Sequence, residues 1–390
     1  MDIDKIRSHF PALRSYVWFQ NGGVSITPQP VAEVHASHMR EILDRGPMHI
    51  VFPDEEYPRR EATRLRIAHF FGVAPGDLAW MRGVSEGYLT VLRGMDWREG
   101  DRILISEEEE AALFLPSMHL RDLCGVEVVK FPLVDDTAGQ VQAVADRVND
   151  RTRLVAFSHV ITDSGFRLPA REICGLARAA GALSFVDTAH SVGLYPIDLR
   201  DMGCDFAGLL SYKWMYAPYA SGALYVRPGS VNSVRVTYAG GRAETSLDFV
   251  ADHYELRPDA GRFEFGPWSW PLIHAWAASM DYLTVVGLDA IWARTVALTE
   301  RLKVGLSGVD GVRLITPRSS ERSAALVSFR LDGRDVFSVR DTLRGRWNII
   351  IKAFRTTQDG LRASVPFFLL EREIDLLVEA IQTLASSRDS

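Results

Sequence analysis

SYKWMYAPYASGALYV, residues 211–226, sets one lysine, Lys213, between two aromatics, ahead of a turn-like run and a short apolar strand. On an open surface such a lysine lays its stem along its neighbours and keeps its ammonium in water. Partly withdrawn from water at the edge of a sheet, it becomes an amine able to attack a carbonyl. The residues upstream decide between the two.

From about Leu78 to Val226 short apolar runs alternate with segments of helical period. LAWM (78–81), RILIS (102–106), VEVVKFPL (126–133), RLVAFSHV (153–160), ALSFVDT (182–188), DFAGLL (205–210) and GALYV (222–226) read as strands. SEGYLTVLRGM, VQAVADRV and AREICGLARAAG read as helices between them. Seven buried strands with interposed helices predict an α/β fold with a mostly parallel seven-stranded sheet covered on both faces. After Pro267 two long helical stretches are followed by LVSFRL, a helix from Asp335, NIIIKAF and a last helix through EIDLLVEAIQTL. That pattern predicts a smaller α+β C-terminal domain over residues 269–390. Residues 21–268 form the large domain, and 1–20 an N-terminal segment packing on the small one.

At 390 residues the chain is long enough for a deep pocket between two domains. With 47% hydrophobic and 24% charged residues and a net charge of −6, nothing points to nucleic acid or a membrane surface, so the expected partners are small molecules. MDIDKIRSHF lacks the basic flank and apolar core of a signal peptide, and a cytoplasmic protein is expected. Cys124, Cys174 and Cys204 lie far apart with no CxxC pair, which argues against disulfides and a thiolate metal site; they read as core thiols, and no metal is expected.

Gly83-Val84-Ser85-Glu86-Gly87 satisfies the GxSxG pattern of a serine-hydrolase elbow, between a strand and a helix. No HGGG-type oxyanion segment accompanies it. The same residues at a helix start offer free N–H groups and a dipole to a phosphate. LSFVDTAH ends a strand in Asp187 at the carboxyl edge of the sheet, where open α/β sheets bind ligands. Asp in that place is often only a helix cap. Lys213 follows one strand later, however, and both side chains can reach the same edge. A nucleophilic lysine, an acid for a ring nitrogen and an anion cradle are what pyridoxal phosphate requires.

Here the sequence resembles a known family. NGG (21–23), RGVSEG (82–87), SHVITDSGFRLP (158–169), FVDTAHSVG (185–193), SYKWMYAP (211–218), RFEFG (262–266) and LRAS (361–364) look like the successive motifs of the class V aminotransferase group. That group includes cysteine desulfurases, selenocysteine lyases, kynureninases and isopenicillin N epimerase-like enzymes, and YKW with SGFR most resembles the last. The resemblance implies the aspartate-aminotransferase-like fold (PLP fold type I) and a homodimer with shared active sites. It implies Lys213 as the Schiff-base lysine, Asp187 as partner of the pyridine nitrogen and His190 as neighbour of the phenolic oxygen. Val84, Ser85 and Glu86 at the helix start, with Tyr212, would hold phosphate. Thr162 would lie at the cofactor, and Arg362 and Asn21 at the substrate, the guanidinium pairing with its carboxylate.

Several positions depart from the family pattern. Where many relatives carry a histidine or aromatic stacked on the ring, SEEEEAALFLP puts Glu110 or Ala111. A run of four glutamates ordinarily reads as a solvated helix start, with a carboxylate facing the cofactor as the alternative. Thr162 replaces the asparagine of desulfurases, Leu210 a phosphate-binding serine, and Pro267 a threonine that often reaches the neighbouring subunit's phosphate. No cysteine follows Cys204, whereas desulfurases carry a mobile thiol in the smaller domain.

These readings predict an enzyme acting on an amino acid or S-conjugated cysteine through an external aldimine, with β-elimination (a C–S lyase) favoured. Trp214, Tyr216, Tyr219, Trp268 and Trp270 are expected to line a roomy pocket, unless they serve core or dimer packing. Decarboxylation with oxidative deamination, as in some antibiotic-pathway relatives, and transamination or epimerisation are alternatives within the group.

Overall fold

The computed structural model describes residues 1–386. Helices α1 (Gln29–Arg45) and α2 (Pro53–Phe70) lead into β1 (Leu78–Met81) and α3 (Val84–Gly94). There follow β2 (Arg102–Ser106), α4 (Ala111–Cys124), β3 (Glu127–Phe131), α5 (Thr137–Ala145), β4 (Thr152–Ser158), α6 (Ala170–Ala179) and β5 (Leu183–Asp187). β6 (Phe206–Leu210) and β7 (Gly222–Val226) complete one seven-stranded sheet in the order β1-β7-β6-β5-β4-β2-β3. β7 runs antiparallel to both its neighbours and the other pairs are parallel. All seven expected strands are present. The apolar runs of β1, β6 and β7 are continuous rather than alternating because helices cover both faces of the sheet, whereas the edge strand β3 keeps Glu127 and Lys130 exposed.

The second layer of the molecule begins with α7 (Trp270–Val286) and α8 (Leu288–Ser307). β8 (Val312–Leu314), β9 (Leu326–Leu331), α9 (Val336–Trp347), β10 (Lys352–Arg355), β11 (Asp359–Ser364) and α10 (Glu371–Ser386) follow. Four of these strands form an antiparallel sheet in the order β8-β9-β11-β10. NIIIKAF, expected as one strand, is divided at Ile351: Ile349–Ile350 pairs in parallel with Val17–Trp18, whereas Lys352 onward joins β11. The N-terminal residues are tied down by Arg7, which grips Glu373 at 2.8 and 2.9 Å, and by Phe10 against Phe368.

α2 gives no local helix signal, and α4 gives only the glutamate start that precedes it. Each holds an internal proline, Pro58 or Pro116, which removes a donor and reads as a helix stop. A hairpin over 244–256 was likewise unexpected and exposes Phe249 and Val250 at its tip. Cys174 and Cys204 are buried, but Cys124 is exposed at the end of α4 and is not a core thiol.

Candidate active site

The carboxyl edge of the large sheet gathers the chemistry. Asp187 is the last residue of β5, Lys213 lies just beyond β6, and Ser85 stands in the first turn of α3. The loop carrying Lys213 is held tightly. Tyr216 N–H donates to the Lys213 carbonyl (3.3 Å), and Ala217 N–H to that of Ser211 (3.0 Å). Closing that turn puts Tyr216, a buried bulky residue, at φ 55°, a strained conformation kept only where its surroundings impose it. Asn21 Nδ2 donates to the Lys213 carbonyl (3.3 Å) and Ser25 N–H to that of Tyr212 (2.8 Å). Gly193, at φ +80°, lets the HSVG turn approach so closely that a Cβ there would overlap the Trp214 carbonyl.

Lys213 is 5% exposed, and its Nζ lies 3.1 Å from His190 Nε2 and 3.4 Å from Glu110 Oε2. Trp214 Nε1 donates to His190 Nδ1 (3.4 Å), so the neutral ring carries its proton on Nε2, beside Lys213 and Thr162 Oγ1 (3.1 Å). The ring is neutral: burial, then the Lys213 charge, pushes His190 down to about 3. Arg362 Nη1 donates to both the carbonyl and the hydroxyl of Thr162 (2.8 Å each), while its buried Nε is unpartnered. Gly22 makes room for it, since a Cβ there would come 3.0 Å from Arg362 Nη2 and 2.6 Å from Ser364 Oγ. Burial raises the Asp187 carboxyl to about 6, against the pull of Lys213, and Ala189 N–H donates to it (2.8 Å).

The glutamate run is not a solvated helix start. Only Glu107 is exposed, and its carboxylate takes the Leu133 amide (2.8 Å). Glu108 accepts from Gln358 (3.0 Å), and Glu109 turns inward to Ser106 Oγ and Ser158 Oγ, 2.7 Å each, and Ser158 N–H, 3.0 Å. Burial lifts the Glu109 carboxyl to about 7. Glu110 precedes α4 and is held well below the usual carboxylate range, first by Lys213. The cause is tertiary: the run crosses the carboxyl edge of β2 and β4, where serines and a lysine supply partners.

A cavity of about 700 Å³ opens here, lined by Val84, Ser85, Glu86, Glu110, Asp187, Leu210, Tyr212 and Lys213 among others. His190, Thr162, Asn21 and Arg362 stand behind these walls, the first two linked to Lys213 through hydrogen bonds. Pyridoxal phosphate fits this donor set: an amine and a protonatable carboxyl face one cavity, and the first amides of α3, which have no partner within the helix, open on it. The Glu86 carboxylate is turned onto Arg82 (2.6 Å to its amide), so only the backbone of Glu86 is offered to an anion.

None of the five aromatics expected in the pocket lines it. Trp214 and Tyr216 are core, Tyr219 stacks outside on Tyr212, and Trp268 and Trp270 line another cavity beside Arg60. The wall is instead built by Tyr238, whose loop gave no local signal, and by Phe265 and Arg82, which sat visibly in RFEFG and RGVSEG. The serine-hydrolase reading fails: Ser85 shares its cavity with Lys213, and no histidine lines it.

The family model Aminotransferase class-V matches residues 17–377. Isopenicillin N epimerase of Streptomyces clavuligerus is 30% identical over 337 residues, spanning 83% of each chain. A "Probable cysteine desulfurase" of Methanothermobacter thermautotrophicus is 26% identical over 99% of this chain and 98% of its own. The solved cystine C-S lyase C-DES, in complex with cysteine persulfide, superposes with a TM-score of 0.87 at 24% identity, over 96% of this chain and 99% of that one.

Proposed function

The chain belongs to the class-V aminotransferase family, and from that membership we propose a lyase that cleaves the Cβ–S bond of a cysteine substituted on sulfur. The cofactor is pyridoxal phosphate. One observation carries the choice of reaction. The turn between β10 and β11 docks against the large domain at Asp163 and Glu108 and reads Thr356-Thr357-Gln358, with no thiol. The curated relatives include cysteine desulfurases by name, and a desulfurase needs a protein thiol there to receive sulfur. A chain that keeps the amino-acid site and lacks the thiol is suited to releasing sulfur as a free thiol. Substrate and water then give the thiol, pyruvate and ammonium.

The residues divide the work. Lys213 would attach the cofactor, Asp187 would hold a proton at its ring nitrogen, and the His190 Nε2–H would be available to its phenolic oxygen. The amides of Val84, Ser85 and Glu86 receive the phosphate, with Tyr212 beside them. When bound, the group supplies an electron sink for charge developing at Cα. Arg362 receives the substrate carboxylate, with Thr162 orienting the guanidinium and Asn21 holding the Lys213 loop. Lys213, once free, takes the Cα proton and returns it to the departing sulfur. Glu110, held in its carboxylate form chiefly by Lys213, stands 3.4 Å from that amine. A homodimer is part of this reading, supported by the exposed apolar tip of the 244–256 hairpin.

A second reading, epimerisation, is favoured by Glu110, a second ionisable group 3.4 Å from Lys213, and by the likeness to isopenicillin N epimerase. Incubating the holoenzyme with S-substituted cysteines, cysteine and alanine, with products identified by mass, separates them. Pyruvate with free thiol is expected. Solvent deuterium at Cα alone would establish epimerisation instead, and carbon dioxide with an S-linked aldehyde would establish decarboxylation with oxidative deamination.

A further inference from the structure

Outside the Lys213 cavity, three helices bring together His38 (α1), Glu56 (α2) and His274 (α7), which are 6%, 1% and 6% exposed. One ligand atom from each lies within 4.8 Å of the other two. An ion at the centre of such a trio lies at most about 2.8 Å from each donor, so bonds of about 2.0–2.2 Å need shifts of well under an ångström each. The imidazoles are already close, with ring centroids 4.9 Å apart.

The tautomer of His274 is set by its surroundings. The single proton of the Thr63 hydroxyl goes to the Arg59 carbonyl (2.9 Å), leaving Oγ1 to accept from His274 Nδ1 at 2.7 Å. The proton is therefore on Nδ1, and Nε2 bears a free lone pair. That Nε2 is buried and has no hydrogen-bond partner. A ligating histidine commonly has this arrangement, one nitrogen held by an outer partner and the other presented bare. Glu56 accepts from Arg60 Nε at 2.7 Å and Arg59 Nε at 3.0 Å, which uses part of its lone-pair capacity and fixes its orientation. Those two guanidiniums, and Arg45 beyond them, oppose a cation; Glu41 and Glu55 pair with them and offset that charge. A cavity of about 940 Å³, lined by His38, Glu41, Arg59, Thr63 and His274, reaches the cluster from outside and has room for a bound water.

We infer that His38, Glu56 and His274 form a binding site for a divalent transition-metal ion of the zinc class, with water as the fourth ligand. Two imidazoles and a carboxylate are a nitrogen–oxygen set suited to zinc. The site joins the neighbouring helices α1 and α2 to α7, which lies far along the chain, so an ion there would brace the packing of α7 against the N-terminal helices. It takes no part in the chemistry at Lys213.

The test uses the holoenzyme carrying Cys124→Ser, which removes the exposed thiol as a competing ligand. After chelator treatment and equilibrium dialysis against zinc, about one ion per chain should be retained and the melting temperature should rise with zinc concentration. His274→Gln should abolish both effects while leaving the visible cofactor band unchanged. Thr63→Val, which removes the partner holding the tautomer and keeps the side-chain volume, should weaken zinc binding by roughly 10–100-fold. No retained zinc in the parent protein, or equal retention in His274→Gln and Thr63→Val, would overturn the assignment.

Discussion

Glu110 Oε2 lies 3.4 Å from Lys213 Nζ, a carboxylate set against the amine on which the cofactor depends. Both are flanked by His190, whose Nε2 is 3.1 Å from the lysine and 3.8 Å from the glutamate. Because Lys213 holds Glu110 well below the usual carboxylate range, the acid stays charged across the neutral range. Glu110→Gln should keep the cofactor, seen as an unchanged visible absorbance, while turnover drops by roughly 10²-fold, the lower end of what one proton-handling group contributes. Turnover within a factor of two of the parent would show that the carboxylate has no part in proton handling.

Lys213→Ala removes the amine that hydrogen-bonds to Glu110 and His190. Borohydride should fix cofactor mass on the Lys213 peptide of the parent and on no peptide of the variant. Turnover should fall by at least about 10³-fold. A label retained by the variant would place the attachment elsewhere.

Arg362→Lys keeps a positive charge and loses the planar fork. The variant also loses the paired bonds from Nη1 to Thr162. Loss of a charged hydrogen bond costs about 1.5–3 kcal/mol, so KM should rise roughly 10- to 100-fold with a smaller change in kcat. Steady-state kinetics on the preferred substrate measure this split. An unchanged KM would remove Arg362 from substrate binding.

Glu109 and Asp187 give the apoprotein a distinctive pH dependence. Burial raises them to about 7 and about 6, above the ordinary values of 4.5 and 3.8, so the folded state binds protons more tightly than the unfolded one. Where folded pKa exceeds unfolded pKa for an acid, stability is greatest below the unfolded value and falls as pH rises through the folded one. Unfolding free energy should therefore decline between about pH 4 and 7, and Glu109→Gln should remove about 1–3 kcal/mol of that decline. Denaturant titrations at pH 5, 6, 7 and 8 on both proteins read it directly. Parallel curves for the two would contradict the burial of an uncharged Glu109.

The large sheet was legible in the sequence because its inner strands are short apolar runs closed by polar residues, as strands buried on both faces must be, with only the edge strand β3 carrying exposed charges. Asp187 and Lys213 were legible for a related reason: strand ends mark the sheet's carboxyl edge, so two reactive side chains in adjacent connections share it. The part played by Glu110 was open to local reasoning only as an alternative, since a run of glutamates favours solvent until Ser106, Ser158 and Lys213 are brought beside it from other strands. Tyr238 and Phe265 reach the cavity from loops without periodicity, and Trp214 and Tyr216 turn into the core where composition alone would put them in a pocket. Apolar periodicity records how deeply an element is buried, a property of its own residues. Which polar group meets which across the site depends on the closure of loops distant in sequence, and only the tertiary structure decided it.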